Sequence, residues 1–199
     1  MVIIGILGGI ASGKTFVAQQ FGRLGASVID ADRVAHEVLN DTDVQRAIRL
    51  RWGDAVFDSE GNVDRAAVSK IVFETTAAGA QELAHLEQLT HPHIRDRIQQ
   101  RTAELAAARE TKAVALDAAV LLKAGWREFC DKIVFVEAPE NQRLMRARRR
   151  GWSETDFSAR EAAQESLDEK RKYADWVIDN GISAEHTFAQ VQRIWHSLN

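Results

Sequence analysis

Residues 8–15 read Gly8-Gly9-Ile10-Ala11-Ser12-Gly13-Lys14-Thr15 and match the pattern G-x-x-x-x-G-K-[ST]. The apolar run 2–7 precedes this loop, and the amphipathic run 14–24 follows it. A strand, a glycine-rich turn and a helix in this order are typical of the start of a parallel α/β sheet. Because glycines keep the turn free of Cβ atoms, successive amides can point at one anion at the helix N-terminus. The loop therefore predicts a site for a nucleotide triphosphate, with Mg-ATP as the expected ligand.

The last two residues of the loop pattern have side chains that suit the binding of phosphate and metal. Lys14 is long enough to reach the β and γ phosphates, which makes it a candidate catalytic residue, and the hydroxyl of Thr15 can ligate Mg²⁺. The predicted ATP contacts extend one residue beyond the loop pattern. They are Gly9, Ala11, Ser12, Gly13, Lys14, Thr15 and Phe16.

Carboxylates follow two further apolar runs that are predicted as strands, 27–29 and 111–116. Asp32 can accept the proton of a hydroxyl that attacks the γ-phosphate, because this proton moves late in a loose transfer. Its alternative role is a helix N-cap, since a helix begins near Arg33. Asp117 is expected to hold the Mg²⁺ shell, and its alternative is a turn residue. The runs 132–136 and 176–178 predict two more strands.

About seventy residues of mostly helical pattern separate the second and third strands, which indicates an inserted helical subdomain. Such an insertion can hold a second substrate beside the carboxyl ends of the strands. A long helical pattern within it is expected to break at His91-Pro92. Near the C-terminus, the acidic and basic residues at 165 and 169–172 predict a solvated helix face.

The basic run 146–150 ends the helix that Pro139 opens. One interpretation is a solvated helix end whose cations complement the dipole. The other is a mobile lid with Gly151 as its hinge, whose guanidinium groups stabilise charge on the transferring phosphoryl group.

Composition restricts the remaining possibilities. The chain has 199 residues, of which 45% are hydrophobic, a net charge of −3 and one cysteine, Cys130. These values predict one globular chain in a reducing compartment, without affinity for nucleic acid or an anionic membrane. The N-terminal run lacks the basic segment of a secretory signal, and no run has the length of a membrane helix. We therefore expect a cytoplasmic protein.

Motifs spread over nearly the whole chain resemble the dephospho-CoA kinases. The motifs that carry the resemblance are the run 5–15, Val28-Ile29-Asp30-Ala31-Asp32 with Ala35 and Val38, Gly61 to Arg65, Leu86-Glu87, His91 to Ile94, Val134 to Val136, Arg148 to Arg150, the Gln164 region, and Ala174 to Gly181. The order of phosphate loop, Asp-Ala-Asp and His-Pro is far more specific than any one of these motifs.

The resemblance implies transfer of the ATP γ-phosphate to the 3′-hydroxyl of the dephospho-CoA ribose, the last step of coenzyme A synthesis. It implies a P-loop, nucleoside-monophosphate-kinase-like fold, with a five-stranded parallel sheet flanked by helices. The implied core covers about 1–31 and 110–199, the helical CoA-binding insertion about 32–109 and the lid about 147–160. By position Asp32 resembles the catalytic base and Arg149 a lid arginine, and Asn180 would lie near the adenine. The implied partners are ATP and dephospho-CoA, and the expected assembly is a monomer or weak homo-oligomer.

Four positions depart from the pattern of this family. Ala11 replaces the usual glycine and Phe16 the usual threonine, and phosphate binding should survive the methyl of Ala11 if its φ stays negative. After Asp117, Ala119 and Lys123 stand where the family tends to have other residues. Lys123 in place of an acid reverses a charge near the expected acceptor site.

Two alternatives remain. A kinase of the same fold could act on a nucleoside monophosphate or a sugar acid, although the Asp-Ala-Asp motif and the long insertion argue against it. A non-catalytic nucleotide-binding relative would have no need of Lys14, Thr15, Asp32 and Asp117 together.

Overall fold

A parallel five-stranded sheet forms the centre of one of two compact units. The structure is a computed structural model, and it describes residues 1–74, 76–109, 111–162 and 164–198. The strands are β1 (Val2–Gly8), β2 (Ser27–Asp30), β3 (Ala113–Asp117), β4 (Lys132–Glu137) and β5 (Trp176–Asp179). Their order across the sheet is β2-β3-β1-β4-β5, and every pairing is parallel. The sheet predicted from the apolar runs is therefore confirmed.

Helices make up most of the remainder of the described chain. They are α1 (Lys14–Arg23), α2 (Ala31–Val38), α3 (Thr42–Trp52), α4 (Arg65–Val72), α5 (Ala77–Ala108), α6 (Glu140–Arg149), α7 (Glu154–Ala162), α8 (Leu167–Lys172) and α9 (Ala184–Ser197). Residues 1–30 and 102–199 form the first unit, and residues 31–101 form the second.

The core of the first unit explains why the central strands are so apolar. All five residues of β3 are buried, and the inner residues of β1 and β4 are buried with them. Strands that are covered on both faces need apolar residues along their whole length. Val17 and Phe21 of α1 and Val191 of α9 pack on one face of the sheet. This core holds the carboxyl ends of β1 and β3 in a fixed register, in which Ile6 pairs with Asp117.

The second unit is helical, and one expectation about it is wrong. Pro92 does not interrupt the helical pattern, because α5 continues through it. A proline inside a helix removes one backbone hydrogen bond but leaves the other turns in place. The hydroxyl of Thr90 donates to the carbonyl of Leu86 at 2.8 Å, and Ile94 and Ile98 bury the helix beyond the proline. Packing on both sides of Pro92 therefore outweighs the lost bond.

None of the helices in the described part of the chain has both the length and the apolar composition to cross a membrane.

Candidate active site

The loop at residues 8–15 connects β1 to α1. Gly8 ends the strand, and Gly13 precedes the helix with a φ of 98°, in the left-handed region. The amide of Ser12 donates to the carbonyl of Gly9 at 3.2 Å and closes the turn. A turn of this kind presents backbone amides at a helix N-terminus, where the helix dipole adds partial positive charge. The loop therefore has the form of an anion site.

Gly13 is required for two independent reasons. A Cβ at this position would lie 2.1 Å from Nδ2 of Asn180, and its φ is one that L side chains rarely adopt. The close approach has a function, because Nδ2 of Asn180 donates to the carbonyl of Ser12 at 2.7 Å. The absence of a side chain at Gly13 thus allows Asn180 to reach the loop.

Asn180 and Arg146 both support the loop through hydrogen bonds to its backbone. Thr187 donates to Oδ1 of Asn180 at 2.9 Å, so the amide is fixed at both ends. Arg146 donates to the carbonyl of Ser12 at 3.0 Å and to the carbonyl of Asn180 at 2.8 Å. Burial and the charges of Arg149 and Arg150 lower the pKa of Arg146 from its usual value. The polar atoms of the Asn180 side chain therefore contact the loop and α9.

Replacement of Asn180 by alanine should weaken the loop. The Ser12 carbonyl would lose one of its donors, and the Thr187 hydroxyl would lose one acceptor but keep the carbonyl of Ser183 at 3.0 Å. The loss of these two hydrogen bonds corresponds to about 1–3 kcal/mol. We expect the KM for ATP to rise about tenfold and the thermal midpoint to fall by about 2–12 °C. Asn141→Ala is the matched control, because Asn141 is exposed on α6. Unchanged values of both quantities in Asn180→Ala would contradict a supporting role.

Lys14 and Thr15 begin α1 with their polar groups at the loop. Nζ of Lys14 donates to the carbonyl of Gly9 at 3.1 Å and lies 3.4 Å from that of Gly8. The hydroxyl of Thr15 donates to Oδ2 of Asp117 at 2.6 Å. Asp117 is 8% exposed and ends β3, the strand that pairs with β1. The fold thus brings together residues that are far apart in the sequence.

The pair of Thr15 and Asp117 has the oxygen chemistry that suits a magnesium ion. A hydroxyl and a carboxylate are hard ligands, and Mg²⁺ is usually bound by one or two protein groups, with phosphate oxygens and water as the others. Within the described ranges, no group of three or more His, Cys, Asp or Glu residues could hold a metal ion by itself. The residues present therefore fit a magnesium ion that arrives with the nucleotide.

Ala11 does not meet the condition set for it from the sequence, because its φ is +55° rather than negative. This conformation costs an alanine about 1–2 kcal/mol relative to glycine. The methyl group is buried with Ile10, Ala147 and Phe157 in a small apolar cluster. Contacts with these neighbours offset part of the strain and explain how the loop accepts an alanine.

Arg143 is a buried residue of α6 that sequence reasoning missed. The residue is only 3% exposed. Nε donates to the carbonyl of Ala138 at 3.2 Å, and the guanidinium forms an ion pair with Glu161 of α7. The guanidinium also lies 5.4 Å from the centre of the Phe157 ring. The sequence did indicate this position, because Arg143 and the apolar Ala147 are four residues apart and therefore lie on the same face of α6.

Residues 147–160, which were predicted as a lid, contain the end of α6 and the first part of α7. Arg149 is exposed and, within the described residues, forms no hydrogen bond or ion pair. Arg148 forms an ion pair with Glu154 at 2.8 Å. Gly151 has a φ of 83° and its amide donates to the carbonyl of Arg148 at 2.9 Å, which ends the helix. The lid and the role of Arg149 remain predictions.

Asp32 lies in the first turn of α2, two residues beyond the end of β2. It is exposed, and no group in the described part of the chain forms a hydrogen bond or ion pair with its carboxylate. Because α2 begins at Ala31, Asp32 is inside the helix and is not its N-cap. Its role as a catalytic base remains a prediction.

The other predicted positions are placed as follows. Phe16 is half-buried in α1, and Ala119 and Lys123 are exposed in the turns after β3.

Lys170 contradicts the expectation of a solvated helix face, because it is 4% exposed. It lies three residues after Leu167 and therefore on the same side of α8, and a Cβ on Gly9 would be 2.9 Å from Leu167. That side of α8 thus faces the loop rather than solvent.

The parallel sheet, the phosphate loop and the link from Thr15 to Asp117 define a P-loop kinase of the nucleoside-monophosphate-kinase type. The family model for dephospho-CoA kinase matches residues 2–185. The chain belongs to the dephospho-CoA kinase family.

Individual relatives agree with this assignment. A dephospho-CoA kinase of Geobacter metallireducens is 40% identical over 98% of this chain and 96% of its own. That of Aquifex aeolicus is 37% identical over 98% of this chain and 96% of its own. The crystal structure of TT1252 from Thermus thermophilus has a TM-score of 0.83 at 29% identity, and covers 98% of this chain and 96% of its own. These matches extend over both compact units.

Proposed function

We propose that this chain transfers the γ-phosphate of ATP to the 3′-hydroxyl of the dephospho-CoA ribose, with coenzyme A and ADP as products. The hydrogen bond between Thr15 and Asp117 carries the proposal. It joins the start of α1 to the end of β3, so that a hydroxyl and a carboxylate, which could serve as oxygen ligands of a phosphate-bound metal, lie next to each other. Membership of the dephospho-CoA kinase family supports this acceptor.

The phosphate loop supplies binding and charge. Its backbone amides hold the phosphates, and Lys14 donates to the β and γ phosphates while its charge compensates theirs. Thr15 and Asp117 would hold Mg²⁺, which neutralises charge on the phosphates and orients them when it is bound. Phosphoryl transfer depends mostly on positioning and electrostatic stabilisation, so these residues provide most of what the reaction needs.

Asp32 and Arg149 complete the proposed mechanism. The 3′-oxygen forms a bond to the γ-phosphorus, and the bond from that phosphorus to the β–γ bridging oxygen breaks, with the electron pair leaving on ADP. The carboxylate of Asp32 takes the proton of the hydroxyl. The guanidinium of Arg149 stabilises charge on the equatorial oxygens. The helical unit is proposed to bind dephospho-CoA.

Acceptor specificity tests the function. ADP release should be measured with Mg-ATP and dephospho-CoA, and in parallel with AMP, CMP, shikimate and gluconate. We expect kcat/KM for dephospho-CoA to exceed every other value by at least about 10³-fold, because a site that hydrogen-bonds its substrate rejects analogues strongly. Omission of magnesium should abolish turnover.

Two results would contradict the proposal. Highest activity with a nucleotide, shikimate or gluconate would indicate another kinase of this fold. Shikimate is included because a shikimate kinase from Acinetobacter baumannii has a TM-score of 0.55 with this chain at 16% identity, which shows a shared fold only. ADP release at the same rate without any acceptor would indicate an ATPase.

A further inference from the structure

A cavity of about 590 Å³ lies beside the phosphate loop in the first unit. Gly9 and Ile10 of the loop line it on one side, and residues from α6, α7 and α8 line the others. Two of these lining residues, Arg143 and Lys170, are buried cations. The cavity thus places two buried cations beside the loop, and neither of them has a role in the transfer proposed above.

Arg143 and Lys170 differ in how their charges are compensated. Arg143 has an ion pair with Glu161 and donates to the carbonyl of Ala138. Lys170 is 4% exposed, and its ammonium donates to Oε1 of Gln164 at 2.6 Å. In the described part of the chain this is the one hydrogen bond of the ammonium group, and no carboxylate forms an ion pair with it. Arg143 therefore has a structural role, whereas Lys170 retains donors for another group.

An ammonium buried with so little compensation destabilises the fold by itself. Taking a charge out of water is unfavourable unless a counter-charge and hydrogen bonds replace the water. Burial lowers the pKa of Lys170 from its usual value, although Glu165 and Glu161 act in the opposite direction. Among the described residues, three glutamates also line the cavity, but none forms an ion pair with Lys170: Glu161 pairs with Arg143, and Glu140 and Glu165 are exposed. A bound anion in the cavity would supply the missing counter-charge.

We propose that Lys170 binds the γ-phosphoryl group of the nucleotide on the loop and is a further catalytic residue of the transfer. This inference rests on the proposed function. Gly9, Ile10 and Lys170 line the same cavity, so a phosphoryl group held there lies between the loop and an ammonium. Lys170 donates to an equatorial oxygen of this group while the phosphorus passes from the bridging oxygen of ADP to the acceptor hydroxyl. Gln164 orients the ammonium.

The test compares Lys170→Met with the wild-type chain. Loss of one donor to the transferring group should lower kcat about 10²-fold. Affinity for an ATP analogue with a nitrogen between its β and γ phosphorus atoms should fall about tenfold, while affinity for ADP stays within about twofold. The thermal midpoint should stay equal or rise, because the variant no longer buries a charge. Lys170→Arg should recover part of kcat, which also keeps the test open if Lys170→Met does not fold.

Lys172→Met is the matched control, because Lys172 is on the same helix, is exposed and pairs with Glu169. It should leave all four quantities unchanged. Retention of kcat within about threefold in Lys170→Met would overturn the proposal, as would an equal loss of ADP and analogue affinity. The ratio of the two affinities needs no acceptor. It therefore tests Lys170 even if dephospho-CoA proves not to be the substrate.

Discussion

Replacement of Lys14 by methionine is expected to lower kcat by about 10³-fold, with the fold intact. Methionine keeps most of the length of lysine and removes the ammonium. In the structure this ammonium contacts the carbonyls of Gly8 and Gly9, so it keeps a positive charge over the start of the loop. The charge is worth most when negative charge on the transferring phosphoryl group is spread over its oxygens.

Kinetics and calorimetry together measure this effect. The kcat and KM of Lys14→Met are obtained from ADP release, and nucleotide affinity is obtained by titration calorimetry. ATP affinity should also fall, because the lysine is proposed to donate to both the β and γ phosphates. In this respect Lys14→Met differs from Lys170→Met, which should leave ADP affinity unchanged.

Lys112→Met is the control for a lost positive charge. Lys112 is exposed and precedes β3, at the edge of the sheet opposite to the loop. Its ammonium lies 4.6 Å from the centre of the Trp195 ring, so a small loss of stability is expected without a change in kcat. If Lys14→Met kept kcat within tenfold of the wild type, the loop would not perform the proposed chemistry.

The sheet and the phosphate loop could be predicted because their signals are local in the chain. Apolar runs bounded by glycines and carboxylates identify the strands, and the loop pattern needs no distant residue. That Thr15 and Asp117 lie close together could be predicted from a general rule, because the carboxyl ends of parallel strands lie at one edge of the sheet. The hydrogen bond between these residues is the contact that this rule leads one to expect.

The supports of the loop could not be predicted, because they depend on tertiary packing. Arg146 and Asn180 contact Ser12 from distant parts of the chain, and no local pattern distinguishes Arg146 from the other arginines of α6. Lys170 was assigned to a solvated face because charged residues surround it in the sequence. Its burial results from the docking of a six-residue helix on the loop.

Ala11 shows a further limit of sequence reasoning. A match to the loop pattern does not specify the φ of its variable positions, so the strain at Ala11 became visible only in the structure. The apolar cluster that accepts its methyl is formed by α6 and α7, which follow in the chain by more than a hundred residues.

Replacement of Asp32 by asparagine is expected to lower kcat by about two to four orders of magnitude. Asparagine has the same shape but cannot accept the proton of the attacking hydroxyl. The Asp32 carboxylate is exposed and has no hydrogen bond or ion pair within the described residues, so its replacement removes no internal contact. Affinity for ATP should be unchanged, since the proposed role of Asp32 concerns the acceptor and not the nucleotide.

Asp43→Asn separates this catalytic effect from an electrostatic effect on the helix. Asp43 is also exposed in the first turn of a helix, α3, where a negative charge stabilises the helix by about 0.3–1 kcal/mol. Both variants lose this contribution and should show a small decrease in thermal midpoint. The decrease should be slightly larger for Asp43→Asn, because Asp43 also forms an exposed ion pair with Arg46 at 3.7 Å. Only Asp32→Asn should lose turnover, as measured by ADP release with dephospho-CoA at saturation. Equal kcat values in the two variants would mean that Asp32 contributes to helix stability alone, and that another group accepts the proton.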